Sequence, residues 1–129
     1  NALTHGNEGP MVRQSLGKAN ALQLNLNLRQ EQGWLNIHCK DDGLGFDFDK
    51  CRQRLMIEGC SKEIAENLPP SALIEDLLRL RPRDHMRAEQ ARGMGLAACA
   101  ELIRRLGGTL QIQTKHQQGV GLQIRIPLQ

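Results

Sequence analysis

Two short glycine-spaced runs hold the residues best suited to chemistry. In Asp41-Asp42-Gly43-Leu44-Gly45 a carboxylate stands beside glycines that accept positive φ. The same pattern also serves a tight turn in which an Asp bonds its own backbone. In Arg92-Gly93-Met94-Gly95-Leu96 the glycines lead into a helix that has no capping side chain. Backbone N–H groups there can approach an anion at the positive end of the helix dipole, or the glycines serve the packing of the helix entry alone. Lys50 reads as a solvated charge or an anion contact. The basic run over residues 79–92, RLRPRDHMRAEQAR, reads as a solvated segment or a contact for phosphate or an acidic partner. His38, in a strand beside Cys39, reads as structural, while His85 and His116 lie in polar loops. Cys39, Cys51, Cys60 and Cys99 form no CxxC pair and match no zinc spacing; they read as reduced, buried thiols, the alternative being two disulfides in a secreted protein.

The elements that must position these residues follow from periodicity. NALTHGNE reads as a helix end stopped at Gly6. Residues 21–28 alternate leucine with polar side chains, a strand with one buried face. Residues 34–39 form a second strand, joined to the first at the Gln32-Gly33 corner. After the DDGLGFD loop, helical spacing runs from Phe48 to about Gly59, with Cys51, Leu55 and Met56 on one face. Ser61 caps a second helix. Pro69-Pro70-Ser71 ends it and caps a third over residues 72–80, with Leu73, Ile74, Leu77 and Leu78 apolar. Residues 81–92 have no apolar stripe and contain Pro82, which suits a loop or a weakly ordered lid. A further helix spans 96–106, with Leu96, Cys99, Ile103 and Leu106 on one face and Gly107-Gly108 stopping it. Strands at 109–114 and 121–128, joined by the turn at 115–119, close the chain. This order predicts an α/β two-layer sandwich, with helices on one face of a mixed, mostly antiparallel sheet.

Composition sets the outer bounds. The chain has 129 residues, 40% apolar and 24% charged, which fits one soluble globular domain. At that length roughly two thirds of the unfolded surface is buried on folding. Trp34, Phe46 and Phe48 are its only large rings, which argues against stacking on single-stranded nucleic acid. A net charge of +3 from 17 basic and 14 acidic residues is too balanced to mark a polyanion-binding surface. No apolar run approaches the ~18 residues of a membrane span, and nothing resembling a signal peptide opens the chain. The expected location is the cytoplasm, with neither nucleic acid nor membrane as a partner.

In order along the chain, Asn1-x-x-x-His5, Asp41-x-Gly43-x-Gly45, Gly93-x-Gly95-Leu96 and the closing GGTLQIQT and GVGLQIRIPL segments form a joint pattern. It resembles the N, G1 and G2 boxes and last hairpin of the GHKL ATPases, the superfamily of gyrase B, Hsp90, MutL and the histidine kinases. A narrower likeness lies in His5-Gly6-x-Glu8-x-Pro10-x-x-Arg13-x-x-x-Gly17-Lys18. That segment resembles the one after the N box in CheA-type chemotaxis histidine kinases, as do Asp47-x-x-Lys50, Ile57-Glu58-Gly59 and Gly107-Gly108-Thr109.

The resemblance implies a single ATP-binding domain of the Bergerat fold over residues 1–129, whose first elements lie ahead of Asn1. It implies transfer of the γ-phosphoryl group of Mg-ATP to a histidine on a separate domain, in cis or in trans, with a response regulator downstream. Asp41 would accept a hydrogen bond from the adenine amino group, with Gly43 and Gly45 letting the chain pass under the base. Asn1 would ligate Mg²⁺, and His5 and Lys50 would meet phosphate. Gly93 and Gly95 would offer N–H donors to the triphosphate, Met94 would pack by the ribose or base, and Arg92 and Leu96 complete the nucleotide-binding set. The catalytic acid–base residue is expected upstream of Asn1, so no catalytic residue is assigned within the chain.

Two departures stand out. The phenylalanine-rich lid of the family is replaced by Leu80-Arg81-Pro82-Arg83-Asp84-His85-Met86-Arg87, and Leu122 stands where the last hairpin usually carries threonine. An altered lid motivates an alternative, a degenerate GHKL domain that binds nucleotide weakly or not at all and acts as a protein-interaction module. A hydrolysis-driven clamp is disfavoured by the HGxExPxxR segment.

Overall fold

The computed structural model describes residues 2–79 and 95–129. The backbone separates into two compact units, Asn1–Phe46 with Leu106–Gln129, and Asp47–Arg105.

The first unit is built on a sheet of β1 (Leu24–Glu31), β2 (Trp34–Asp41), β3 (Thr109–Lys115) and β4 (Gly119–Pro127) in the order β1-β2-β4-β3. Every neighbouring pair is antiparallel. Gln32 and Gly33 take φ of 48° and 79°, both positive as a type I′ hairpin turn requires, and this sets Glu31 opposite Trp34. Period-two alternation then sorts side chains by face. Leu26, Cys39, Leu122 and Ile112 form one row across the sheet, and Leu28, Ile37, Ile124 and Leu110 the next. The other face is polar, with Asn27, His38, Gln123 and Gln111 in one row and the Arg125 guanidinium 4.3 Å from the centre of the Trp34 ring.

The strand predicted at 21–28 begins later and runs to Glu31, and its leucines are not buried. Leu24, Leu26 and Leu28 are 58%, 64% and 57% exposed. β1 is an edge strand, and alternation identifies its apolar face without supplying an element packed on that face. Ahead of the sheet, a π-helical turn over Ala2–Gly6 ends at the expected glycine. A short helix, α1 (Pro10–Ser15), follows it unanticipated. Pro10 suits the first helical position because its missing N–H would be unpaired there anyway. Periodicity cannot reveal α1, because Met11 and Val12 are exposed and the one side chain it fully buries is Arg13.

The second unit contains α2 (Phe48–Ile57), α3 (Lys62–Asn67), α4 (Pro70–Leu77) and α5 (Leu96–Arg105). Asp47 caps α2 by accepting the Lys50 N–H at 3.1 Å, and the Ser61 hydroxyl caps α3 by accepting the Ile64 N–H at 3.3 Å. α4 starts at Pro70 instead of after a Ser71 cap, again with proline in the first turn, and buries Leu73. An Arg54–Asp76 ion pair at 2.9 Å ties α2 to α4. On α5 the buried positions are Ala97, Ala100 and Ile103, while Leu106 is half exposed. The buried stripe is therefore rotated from the predicted Leu96, Cys99, Ile103 and Leu106 face, with Ile103 common to both. All four cysteines are free and half-buried instead of buried, and burial pushes the Cys51 thiol up. The predicted lid at 81–92 lies outside the described residues.

Candidate functional site

Asp41, at the end of β2, is the focus of the first unit. Its Oδ1 accepts the backbone N–H of Gly43 at 2.9 Å and that of Val120 at 3.2 Å. Its Oδ2 accepts no hydrogen bond among the described residues. This closeness depends on glycines. At Gly119, φ is +86° and a Cβ would stand 2.0 Å from the Asp41 carbonyl oxygen. At Gly45, φ is +81° and a Cβ would meet the Lys115 carbonyl at 2.7 Å. A Cβ on Gly43 would lie 2.3 Å from the Gly6 carbonyl, which itself accepts the Leu44 N–H at 2.8 Å. The end of the π-helical turn, the DDGLG loop and the β3–β4 turn thus converge on one carboxylate.

Thr114, to which the sequence reading gave no role, fastens two of these segments. Its hydroxyl accepts the Phe46 N–H at 2.9 Å and donates to the Gly119 carbonyl at 3.2 Å. Leu122 sits in the apolar row opposite Cys39 and Ile112, so the hydroxyl at this end of the sheet comes from Thr114. A threonine closing a strand just before a glycine turn is the only sequence signal for it.

Beside Asp41 lies a buried ionic cluster that joins α1 to the same loop. Arg13, with a fully buried side chain, donates to Asp42 Oδ2 at 2.7 Å, Glu8 Oε2 at 3.2 Å and the Ala19 carbonyl at 2.6 Å. Lys18 donates to Glu8 Oε1 and, at 3.0 Å, to the Gly43 carbonyl. Asp42 Oδ1 accepts the Gln23 N–H at 2.9 Å. Burial raises the Glu8 carboxyl, but the Lys18 hydrogen bond, Glu8's own backbone N–H and the Lys18 and Arg13 charges outweigh it and hold the group below its usual range. Asp42 behaves alike, with burial opposed and exceeded by the Arg13 hydrogen bond, the Gln23 N–H and the cationic charge of Arg13 and Lys18. The Asp42 hydrogen bond in turn pushes the Arg13 guanidinium up against its burial. In the sequence, Glu8, Arg13 and Lys18 stood only as letters of a resemblance; that they are buried and paired was not legible there.

The structure gathers Asp41, Gly43 and Gly45 in one place, with His5 in the π-helical turn that ends at Gly6. Lys50, Gly95 and Leu96 belong to the second unit. There the Lys50 side chain is 82% exposed, 4.0 Å from Asp47. Gly95 is exposed and its carbonyl accepts the Cys99 N–H at 3.1 Å, and Leu96 is half-buried. Asn1, Arg92, Gly93 and Met94 lie outside the described residues. No cluster of three or more His, Cys, Asp or Glu side chains suited to a metal occurs among the described residues.

A groove of about 640 Å³ runs along the polar sheet face past Asn27, His38, Gln123 and Arg125. His38 is exposed there, on the polar face of β2. The groove does not include Asp41 and is a poorer candidate, since its polar side chains line an open face and converge on no point. No helix among the described residues is long and apolar enough to cross a membrane.

Comparison with known proteins gives this geometry a context. The family described as histidine kinase-, DNA gyrase B-, and HSP90-like ATPase matches residues 1–129. Similar proteins include the chemotaxis protein CheA of Halobacterium salinarum, 26% identical over 132 residues, covering 99% of this chain and 20% of the relative. A gliding motility regulatory protein of Myxococcus xanthus is 29% identical over 134 residues, covering 98% of this chain and 17% of the relative. The chain thus spans about a fifth of the length of these relatives. Among solved structures, the histidine kinase domain of the blue-light activated histidine kinase of Erythrobacter litoralis aligns with 99% of this chain and 38% of that one, at TM-score 0.49 and 18% identity.

Proposed function

This chain belongs to the histidine kinase-, DNA gyrase B- and HSP90-like ATPase family, and we propose that it is the ATP-binding domain of a CheA-like histidine kinase. In this reading it presents the γ-phosphoryl group of ATP to a histidine on a separate domain, in cis or in trans, and a response regulator takes up the phosphoryl group downstream. The cytoplasm is the matching location.

The observation that carries the reading is the Asp41 carboxylate. Two backbone N–H groups occupy Oδ1 and orient the group, and Oδ2 has no donor among the described residues. Adenine supplies an exocyclic amine there, whereas guanine carries a carbonyl at the same ring position, so a fixed acceptor selects between the two. Glycines at 43 and 119 let the backbone close in on this carboxylate, and Gly45 does the same against the Lys115 carbonyl and the Thr114 hydroxyl. The narrower CheA-like reading is supported by Glu8, Arg13 and Lys18, which form one buried cluster against the Asp41 loop.

The remaining roles are part of the same proposal. His5 and Lys50 meet phosphate, Arg92, Gly93, Gly95 and Leu96 surround the triphosphate end, and Met94 packs against the ribose or base. Asn1 holds Mg²⁺ through its amide oxygen, a hard ligand suited to that ion. The metal offsets phosphate charge, and positioning with charge neutralisation is most of what phosphoryl transfer requires.

The test is titration calorimetry of the full-length protein with ADP and Mg²⁺. The proposal expects binding, and expects Asp41→Asn to weaken it by about 1–3 kcal/mol, since an amide presents a donor to the adenine amine. Equal affinity in the two proteins defeats the adenine assignment. No binding at millimolar nucleotide instead favours a degenerate, protein-binding domain, the reading that the replaced lid sequence at 80–87 motivates.

A further inference from the structure

The Glu8, Arg13 and Lys18 cluster does more than anchor α1. It ends on the one glycine whose other side meets the adenine acceptor. Gly43 donates its N–H to Asp41 Oδ1 at 2.9 Å and accepts from Lys18 Nζ at its carbonyl oxygen at 3.0 Å. One residue earlier, Arg13 holds the Asp42 carboxylate at 2.7 Å. Glu8, its side chain 3% exposed, joins the two cations, with Oε2 on Arg13 and Oε1 on Lys18. Gly17, at φ +72°, turns the chain after α1, and the Lys18 N–H bonds back to the Arg13 carbonyl at 2.9 Å, which sets Lys18 beside the cluster.

A loop of Asp, Gly and Leu can adopt several turn geometries on its own, because glycine restricts the backbone little. Fixing both sides of Gly43 removes that freedom, and it does so with buried charge, an expensive device unless every member is paired. We infer that Lys18, held by Glu8 and Arg13, is a positioning residue that aims Asp41 Oδ2 at the exocyclic amine of the base, so that selection of a 6-amino over a 6-oxo purine depends on a side chain that never touches the nucleotide. This inference rests on the proposed nucleotide site.

The experiment compares ADP with inosine diphosphate, which carries a carbonyl in place of the amine, by calorimetric titration of the wild-type, Lys18→Met and Lys18→Arg proteins at full length. Hydrogen–deuterium exchange of the peptide covering residues 40–46 is followed in parallel without nucleotide. The expected result is a fall of about tenfold in the ADP to inosine diphosphate affinity ratio in Lys18→Met, recovery in Lys18→Arg, and faster exchange of the 40–46 peptide in Lys18→Met alone. A general loss of structure would lower both affinities together and leave the ratio in place. If Lys18→Met does not fold, Glu8→Gln, which removes the charge and replaces one of the two acceptor oxygens with an N–H donor, loosens Lys18 and gives the same readouts. A ratio within twofold of wild type in a folded variant overturns the inference. If the wild type itself shows no preference for ADP, the proposed function fails, and the exchange data alone then judge the positioning role, with unchanged 40–46 exchange overturning it.

Discussion

Each unit of this chain carries its own ion pairs, built from the same residue types, and they differ in where they stand relative to water. In the first unit, Glu8, Arg13, Lys18 and Asp42 form a cluster in which Arg13 is fully buried and each charge meets a partner of opposite sign. In the second, pairs such as Lys62–Glu66 at 3.7 Å and Arg52–Asp49 at 3.4 Å lie one turn apart on helix surfaces, with at least one partner well exposed. Surface pairs of that kind gain little, because water screens them and the side chains must be ordered to meet. Breaking a buried pair leaves a charge with neither water nor partner. The contrast teaches that a chain of modest net charge can still depend on electrostatics, provided the charges are few, buried and placed at the loop that matters.

The largest effect that tests the contrast is expected from Arg13→Met, which removes the Asp42 ion pair and one of the two cations that hold the buried Glu8. Its melting temperature, read by calorimetry, should fall by roughly 10 °C or more. A fall under about 2 °C would place this cluster on a par with the surface pairs.

Acid provides an intermediate effect. The Glu8 and Asp42 carboxyls titrate below their ordinary values of 4.5 and 3.8 in the folded chain, so as pH falls the unfolded chain takes up these protons first. The stability the two groups contribute is present above the ordinary values and is lost as pH falls through the lowered ones. In urea unfolding, the gap in midpoint between wild type and Glu8→Gln should therefore hold steady from pH 7 to about 5 and shrink below about 4. A gap unchanged down to pH 3 contradicts the pairing. The smallest effect belongs to Glu66→Gln, with Lys62 as its surface partner, which should move the melting temperature by less than about 2 °C. A larger shift there would blur the contrast from the other side.

The hairpins were readable because their signals are local. The alternation of leucine with polar residues and the Gln32-Gly33 corner together imply β1, β2 and the I′ turn that joins them. Ser61 and its partner Ile64 N–H lie within one turn, so that cap needed no tertiary knowledge. By contrast, α1 was missed because it is stabilised by Arg13 reaching Asp42, a residue 29 positions away. The face of α5 was misread because which of its apolar residues are buried depends on what packs against them. The Asp41 site was half legible. The Asp and its glycines could be named, but Val120 reaches it across 79 positions, and no spacing rule announces that.

By itself the sequence determined the α/β class, the antiparallel hairpins and the turn glycines, because these follow from periodicity, φ preferences and short-range hydrogen bonds, while Asp41 was singled out through a family resemblance. Only the tertiary structure decided what occupies that carboxylate. It placed two backbone N–H groups on Oδ1, gave Oδ2 no donor among the described residues, and put Lys18 on the far side of Gly43. Such assignments depend on which distant segments share a few ångströms of space and how far each is from water, and a linear order of residues does not contain that information.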